Sequence, residues 1–174
     1  MDSALLSTLH AIVSRAGRPA ANRGIASLRS HPPTRCHGMT LDRFRVCGRT
    51  AIALAAARKA AAGELIPSPL YFAGGPSSGK THLLWAVANR LHARASIRVC
   101  YLGSLHWAGM RRKAQWTAGL SQLERNAGEL DALLIDDIDR LETHPSAQRA
   151  LANALDRIIQ RGGCFVASGP LRPW

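Results

Sequence analysis

Residues Gly74 to Thr81 read GGPSSGKT, and no other stretch narrows so sharply what this chain can become. The apolar run ahead of it, Leu70-Tyr71-Phe72-Ala73, has the length and composition of a buried strand. Behind it, Leu83, Leu84, Val87 and Leu91 recur at helical spacing. Strand, glycine-bearing loop and helix are the setting in which G-x-x-x-x-G-K-[ST] wraps a pyrophosphate. Such a loop aims several backbone N–H groups inward, and glycine permits the dihedrals this demands. Lys80 would reach the outer phosphates, the Thr81 hydroxyl would hold a magnesium ion, and the helix start adds its positive end. The candidate nucleotide contacts are thus Gly74, Gly75, Pro76, Ser77, Ser78, Gly79, Lys80 and Thr81.

A phosphate loop needs an acidic counterpart, and DALLIDDID, Asp131 to Asp139, supplies one. Four apolar residues form a buried strand with two carboxylates at its C-terminal end, where open α/β sheets bind ligands. Asp136 is the candidate for the magnesium shell, and Asp137 the candidate to orient or deprotonate an attacking water. Asp139 and Glu142 read as an exposed acidic turn.

The remaining elements follow the same alternation. An alanine-rich helix spans Arg49 to Ala62, closed by Gly63. Further strands are expected at Ile97–Leu102, Ala132–Ile135 and Cys164–Ala167, with a helix on Leu151, Leu155, Ile158 and Ile159 that ends at Gly162-Gly163. This predicts a parallel sheet flanked by helices, in one domain from residue 38 to 174. Residues 1 to 37 differ: they carry five arginines and one acid, and read as a basic, disordered leader with a short helix near Leu5 to Val13, the alternative on composition being an organellar transit peptide. No apolar run is long enough to span a membrane. Four scattered cysteines without C-x-x-C spacing argue for reduced thiols in a cytoplasmic protein rather than a zinc site.

The net charge of +12 is unevenly placed. No acid occurs between Ile66 and Leu123, whereas seven of the eleven lie between Glu124 and Glu142. That suits a chain facing a polyanion on one side and a divalent ion on the other, or equally a solvated basic face. Within the acid-free stretch, LHWAGMRRKAQW sets Arg111, Arg112 and Lys113 between Trp107 and Trp116. The tryptophans either stack on bases or lie buried beneath a solvated patch.

With both motifs placed, Met39 to Pro173 resembles the AAA+ ATPase domain of the bacterial DnaA-type replication initiators. The resemblance rests on MTLDRFRV, SPLYFAGGPSSGKTHLLWAVANRL, LLIDDID and GGCFVASGPLRP. It implies a P-loop NTPase fold of AAA+ type, ATP and Mg2+ as ligands, and a role in initiating chromosomal replication or regulating it. Further implied partners are single-stranded DNA, gripped by the segment matching Arg111, Arg112 and Lys113, and other AAA+ subunits or DnaA itself. The resemblance also makes Phe44, Val46 and Cys47 adenine contacts, adds His82 beside the loop, and leaves Ser168 as the sensor of the γ-phosphate. Two readings stand beside it: a non-hydrolysing ATP-binding regulator that docks on DnaA, and a helicase loader of the IstB/DnaC type. The family loop has glycine where this chain has Ser77, and its sensor strand reads Ser-Asp-Arg-Pro-Pro where this chain has Ser168-Gly169-Pro170-Leu171-Arg172-Pro173. The family's arginine finger, fifth strand and helical lid would lie beyond Trp174. The resemblance therefore implies an incomplete domain with the loop-bearing strand at the sheet edge.

Overall fold

The computed structural model describes residues 36, 38–63, 69–94, 96–116 and 125–170. The expected leader, apart from Cys36, and the short helix within it fall outside the described residues.

Four strands form one wholly parallel sheet: β1 (Leu70–Ala73), β2 (Val99–Gly103), β3 (Ala132–Asp136) and β4 (Cys164–Gly169). Their order across the sheet is β1-β4-β3-β2, which puts β1 at one edge. Among the described residues, four helices of twelve residues or more accompany them: α1 (Ala51–Ala62), α2 (Lys80–His92), α3 (Ser104–Trp116) and α4 (Pro145–Gln160). The strand–helix alternation read from periodicity is therefore present. β3 and β4 run on to Asp136 and Gly169, beyond the apolar residues that announced them.

Period-two alternation sorts the strand side chains between two cores. Phe72, Val99, Leu134 and Val166 pack with Leu83, Leu84 and Val87 of α2 and with Leu54 and Ala57 of α1. Cys100, Leu133, Ile135, Phe165 and Ala167 face the other way, against Leu151, Leu155 and Ile158 of α4 and Trp107 of α3. Trp107 is fully buried and its indole N–H donates to the Ala147 carbonyl at 2.9 Å. Of the two readings of that tryptophan, burial is the one realised: a ring closed inside the core cannot stack on a base. Trp116 ends α3, and its side chain is outside the described residues.

β2 begins at Val99 rather than Ile97 because Arg98 is engaged at the strand's start. Its guanidinium makes a two-pronged pair with Asp131, with Nε to Oδ2 at 3.0 Å and one terminal nitrogen to Oδ1 at 2.9 Å. Its backbone N–H also donates to Oδ2, at 2.8 Å. Asp131 in turn accepts from the Cys164 N–H through its carbonyl, so one residue ties together the N-terminal ends of three strands. Part of the basic excess is thus structural: Arg98 pairs with Asp131, and Arg94 donates to the Ala62 carbonyl at 2.7 Å.

Candidate nucleotide site

Register brings the functional ends together. Phe72 pairs with Ser168 and Ala73 with Gly169, while Ile135 pairs with Ala167 and Gly103 with Asp136. The ladder continues one step into the loop, where the Gly74 N–H donates to the Gly169 carbonyl at 3.1 Å. The loop, the Asp136-Asp137 pair and Ser168 therefore meet at the C-terminal edge of β1, β3 and β4, where the sequence placed them.

The loop leaves β1 and enters α2 at Lys80. Gly79 takes φ +90°, and a β-carbon built on it would fall 2.7 Å from the Phe44 ring. The N-cap therefore requires glycine on both dihedral and steric grounds. Ser77 also sits in the left-handed region, at φ 58°. Serine accepts that dihedral only at a cost, and this is the position where the resemblance led one to expect glycine. The Lys80 ammonium spans the loop, donating to the carbonyls of Gly74 at 2.7 Å and Gly75 at 2.9 Å. No acid occupies the first turn of α2, so its positive end stays unopposed.

Behind the loop, the segment before α1 is pinned along α2. Asn89 donates its amide N–H groups to the carbonyls of Cys36 and Met39, and His82 Nε2 bonds the Thr40 carbonyl at 2.9 Å. The His82 ring meets Phe44 edge-on, with centroids 5.4 Å apart. Phe44 is buried, wedged between His82 and Gly79. Val46 is 54% exposed and Cys47 is exposed as well. Of the three residues assigned to the base, Phe44 thus braces the loop while Val46 and Cys47 face solvent. His82 spends its ring on Phe44 and Thr40.

The acidic half is built on three strands. Asp136, 8% exposed, accepts a hydrogen bond from the Tyr101 hydroxyl on Oδ2 at 2.8 Å and one from the Ser168 hydroxyl on Oδ1. Ser168 is fully buried, and its oxygen also accepts from the Asp137 N–H at 3.1 Å. It therefore meets Asp136 and Asp137 directly. Burial, followed by the charge of Asp136 and the bond to it, raises Tyr101 far above the usual phenol range, so it remains a donor. Asp137 adopts φ 51°, a conformation aspartate tolerates, and its side chain is exposed. Burial, then Asp136 and Asp139, raise its pKa, while Arg140 and Lys80 pull it down. Lys80 thus lies within electrostatic reach of Asp137, across the site.

One expectation is corrected here. Asp139 is not a plain exposed turn residue: the left-handed step at Asp137 starts a 3-10 turn, Ile138–Leu141, that rolls it back toward β4. Its Oδ1 lies 3.1 Å from where a Gly169 β-carbon would be, and the Tyr71 hydroxyl takes most of that space at 2.2 Å. Burial and then Asp139 raise the Tyr71 pKa. Glu142 is exposed as expected. Sequence reasoning missed Tyr101, although a tyrosine inside the otherwise apolar VCYLG strand signals a hydroxyl in need of a partner. On α3, Arg111 is partly buried and Arg112 exposed; the Lys113 side chain is outside the described residues.

The donor set suits a magnesium nucleotide. Among the described residues no three His, Cys, Asp or Glu side chains form a metal cage. Magnesium needs none, since it takes one or two carboxylates and the phosphates of its ligand. Asp136 fixed by two hydrogen bonds, the exposed Thr81 and the glycine-shaped loop meet that requirement.

A parallel sheet with this loop after β1, an aspartate pair at the end of β3 and a buried serine near the end of β4 defines a P-loop NTPase fold of AAA+ type. The family model of the bacterial DnaA ATPase domain matches residues 37–174, and the chain belongs to that family. The chromosomal replication initiator DnaA of Thermomicrobium roseum is 31% identical over 162 residues, covering 88% of this chain and 35% of that protein. The chain thus spans about a third of that curated relative. Domain III of DnaA from Thermotoga maritima overlays with a TM-score of 0.72 at 26% identity, covering 78% of this chain and 57% of that one. A replication initiator DnaA bound to AMPPCP and single-stranded DNA overlays at 0.73 with 22% identity, covering 78% and 42%. Among the described residues, no helix is long and apolar enough to cross a membrane.

Proposed function

We propose that this chain binds ATP with magnesium and acts, in the cytoplasm, in the initiation of chromosomal replication or its control. The observation that carries the reading is that the phosphate loop, with Lys80 held on the Gly74 and Gly75 carbonyls, and the clamped Asp136 both lie at the C-terminal ends of the strands. The loop N–H groups and the Lys80 ammonium bind the phosphates, and the Phe44–Cys47 segment, through Val46 and Cys47, covers the base. Thr81 and Asp136 hold magnesium, which when bound neutralises phosphate charge. Asp137, exposed beside them, orients or deprotonates water for hydrolysis. Arg111, Arg112 and Lys113 supply a phosphate-binding patch for single-stranded DNA, the ligand of the similar initiator structure. Other AAA+ subunits or DnaA are the protein partners.

Calorimetric titration of the purified chain with ATP and magnesium tests this reading. Saturable binding that Lys80→Ala weakens strongly is expected; equal affinity for the two proteins would overturn it.

A further inference from the structure

We propose that Tyr101 is a positioning residue for Asp136, fixing the carboxylate that receives magnesium; this rests on the nucleotide reading above. Asp136 sits on the strand between β2 and β4, and each of its oxygens takes one hydrogen bond from a neighbouring strand. Tyr101 of β2 donates to Oδ2 at 2.8 Å, and Ser168 of β4 donates to Oδ1. Held from both sides, the carboxylate cannot rotate about its terminal torsion, and each oxygen keeps a lone pair for a metal or its water. Ser168 comes from the strand beside the phosphate loop. Tyr101 comes from the opposite side, which no part of the nucleotide motif reaches.

Tyr101 is itself fixed by the loop's own helix. Its ring stacks on Trp85 of α2, with centroids 3.8 Å apart and planes 28° from parallel. Trp85 is buried and lies on the helix that begins at Lys80. The phosphate-binding and metal-binding halves are therefore joined twice: through the strand ladder by Ser168, and through α2 by the Trp85–Tyr101 stack. Removing the Tyr101 hydroxyl leaves the ring stacked but frees one carboxylate oxygen, which separates metal positioning from packing.

The test is ATP binding by Tyr101→Phe, measured by calorimetry first in chelator and then across a magnesium titration. In chelator the variant should bind ATP as the parent chain does. The magnesium concentration that gives half of the metal-dependent tightening should rise about 10–100-fold, the usual effect of losing a ligand's supporting hydrogen bond. An unchanged magnesium midpoint overturns the proposal. So does an equal loss of ATP affinity with and without magnesium, which would make Tyr101 a packing residue only. If Tyr101→Phe fails to fold, Trp85→Leu, which keeps the hydroxyl but frees the ring, should raise the midpoint in the same direction, and no rise overturns the proposal. Failure of the parent chain to bind ATP under any condition would instead overturn the nucleotide reading itself.

Discussion

The Phe44 ring lies against the α-carbon of Gly79, so close that a β-carbon there would sit 2.7 Å from Phe44 Cε2. The segment before the first helix and the last residue of the phosphate loop are therefore fitted to each other. Gly79→Ala should lose stability twice, to the left-handed dihedral and to the clash, by about 2–4 kcal/mol in urea denaturation. Phe44→Ala relieves only the clash. The double variant should accordingly be more stable than the summed losses of the two single ones, and strict additivity would show that the rings and loop do not touch.

Ser77 offers the opposite experiment. Its φ of 58° is a dihedral that glycine adopts freely. Ser77→Gly removes strain of about 1–2 kcal/mol and adds back about 0.4–1 kcal/mol of unfolded-state entropy. A small net rise in the thermal midpoint is expected, while Ser77→Val should lower it clearly, since a β-branched side chain is an outlier there. A valine variant that melts with the parent would show that the loop does not hold this conformation.

Asp131 supplies a pH signature of the fold. Burial works to raise its pKa, but the hydrogen bonds from the Arg98 guanidinium and N–H outweigh it and hold the carboxyl below its ordinary value. A depressed carboxylate contributes its full stability above its unfolded pKa of about 3.9 and loses it as pH falls through the lower folded value. The pair is partly exposed, so the contribution is small. Asp131→Asn should be less stable by roughly 1 kcal/mol at neutral pH, and the gap to the parent should close in strong acid. A gap that persists in acid would point to lost packing rather than charge.

The basic patch on α3 should bind single-stranded DNA in a salt-dependent way. Each neutralised phosphate contributes about −0.7 to the slope of log affinity against log salt. Replacing Arg111, Arg112 and Lys113 together with alanine should flatten that slope and lower affinity. An unchanged slope would place any DNA site elsewhere. Trp107→Ala belongs to a different experiment: with its ring in the core, it should cost about 3–5 kcal/mol of folding stability.

The parts of the site visible beforehand were those written in short stretches of chain. GGPSSGKT and LLIDDID each carry their own geometry, since a strand end and the turn after it are local events. The Tyr101–Asp136 bond could not be read this way, because it depends on the pairing of β2 with β3, which sets Tyr101 against Leu134 and brings its hydroxyl to the end of β3. Asp139 escaped for a similar reason: its surroundings are made by the left-handed step at Asp137 and by Tyr71 of a distant strand. Phe44 was placed at the base by resemblance, and only packing shows it braced against Gly79 and His82.

Among the described residues, β1, the strand that delivers the phosphate loop, is paired by β4 alone. β3 lies between two neighbours and has every residue buried, whereas β1 has one buried residue of four. Opening free energies follow such differences in burial and pairing. Amide exchange should therefore be graded across the sheet, slowest at Ala132 to Asp136 and fastest at Leu70 to Ala73. Asp136 thus ends the strand expected to be the most rigid, while the loop hangs from the one expected to be the softest. Phosphates bound at Gly74 to Thr81 would bridge that soft edge to the rigid centre, so the largest slowing of exchange on ligand addition should appear in β1 and not around Asp136.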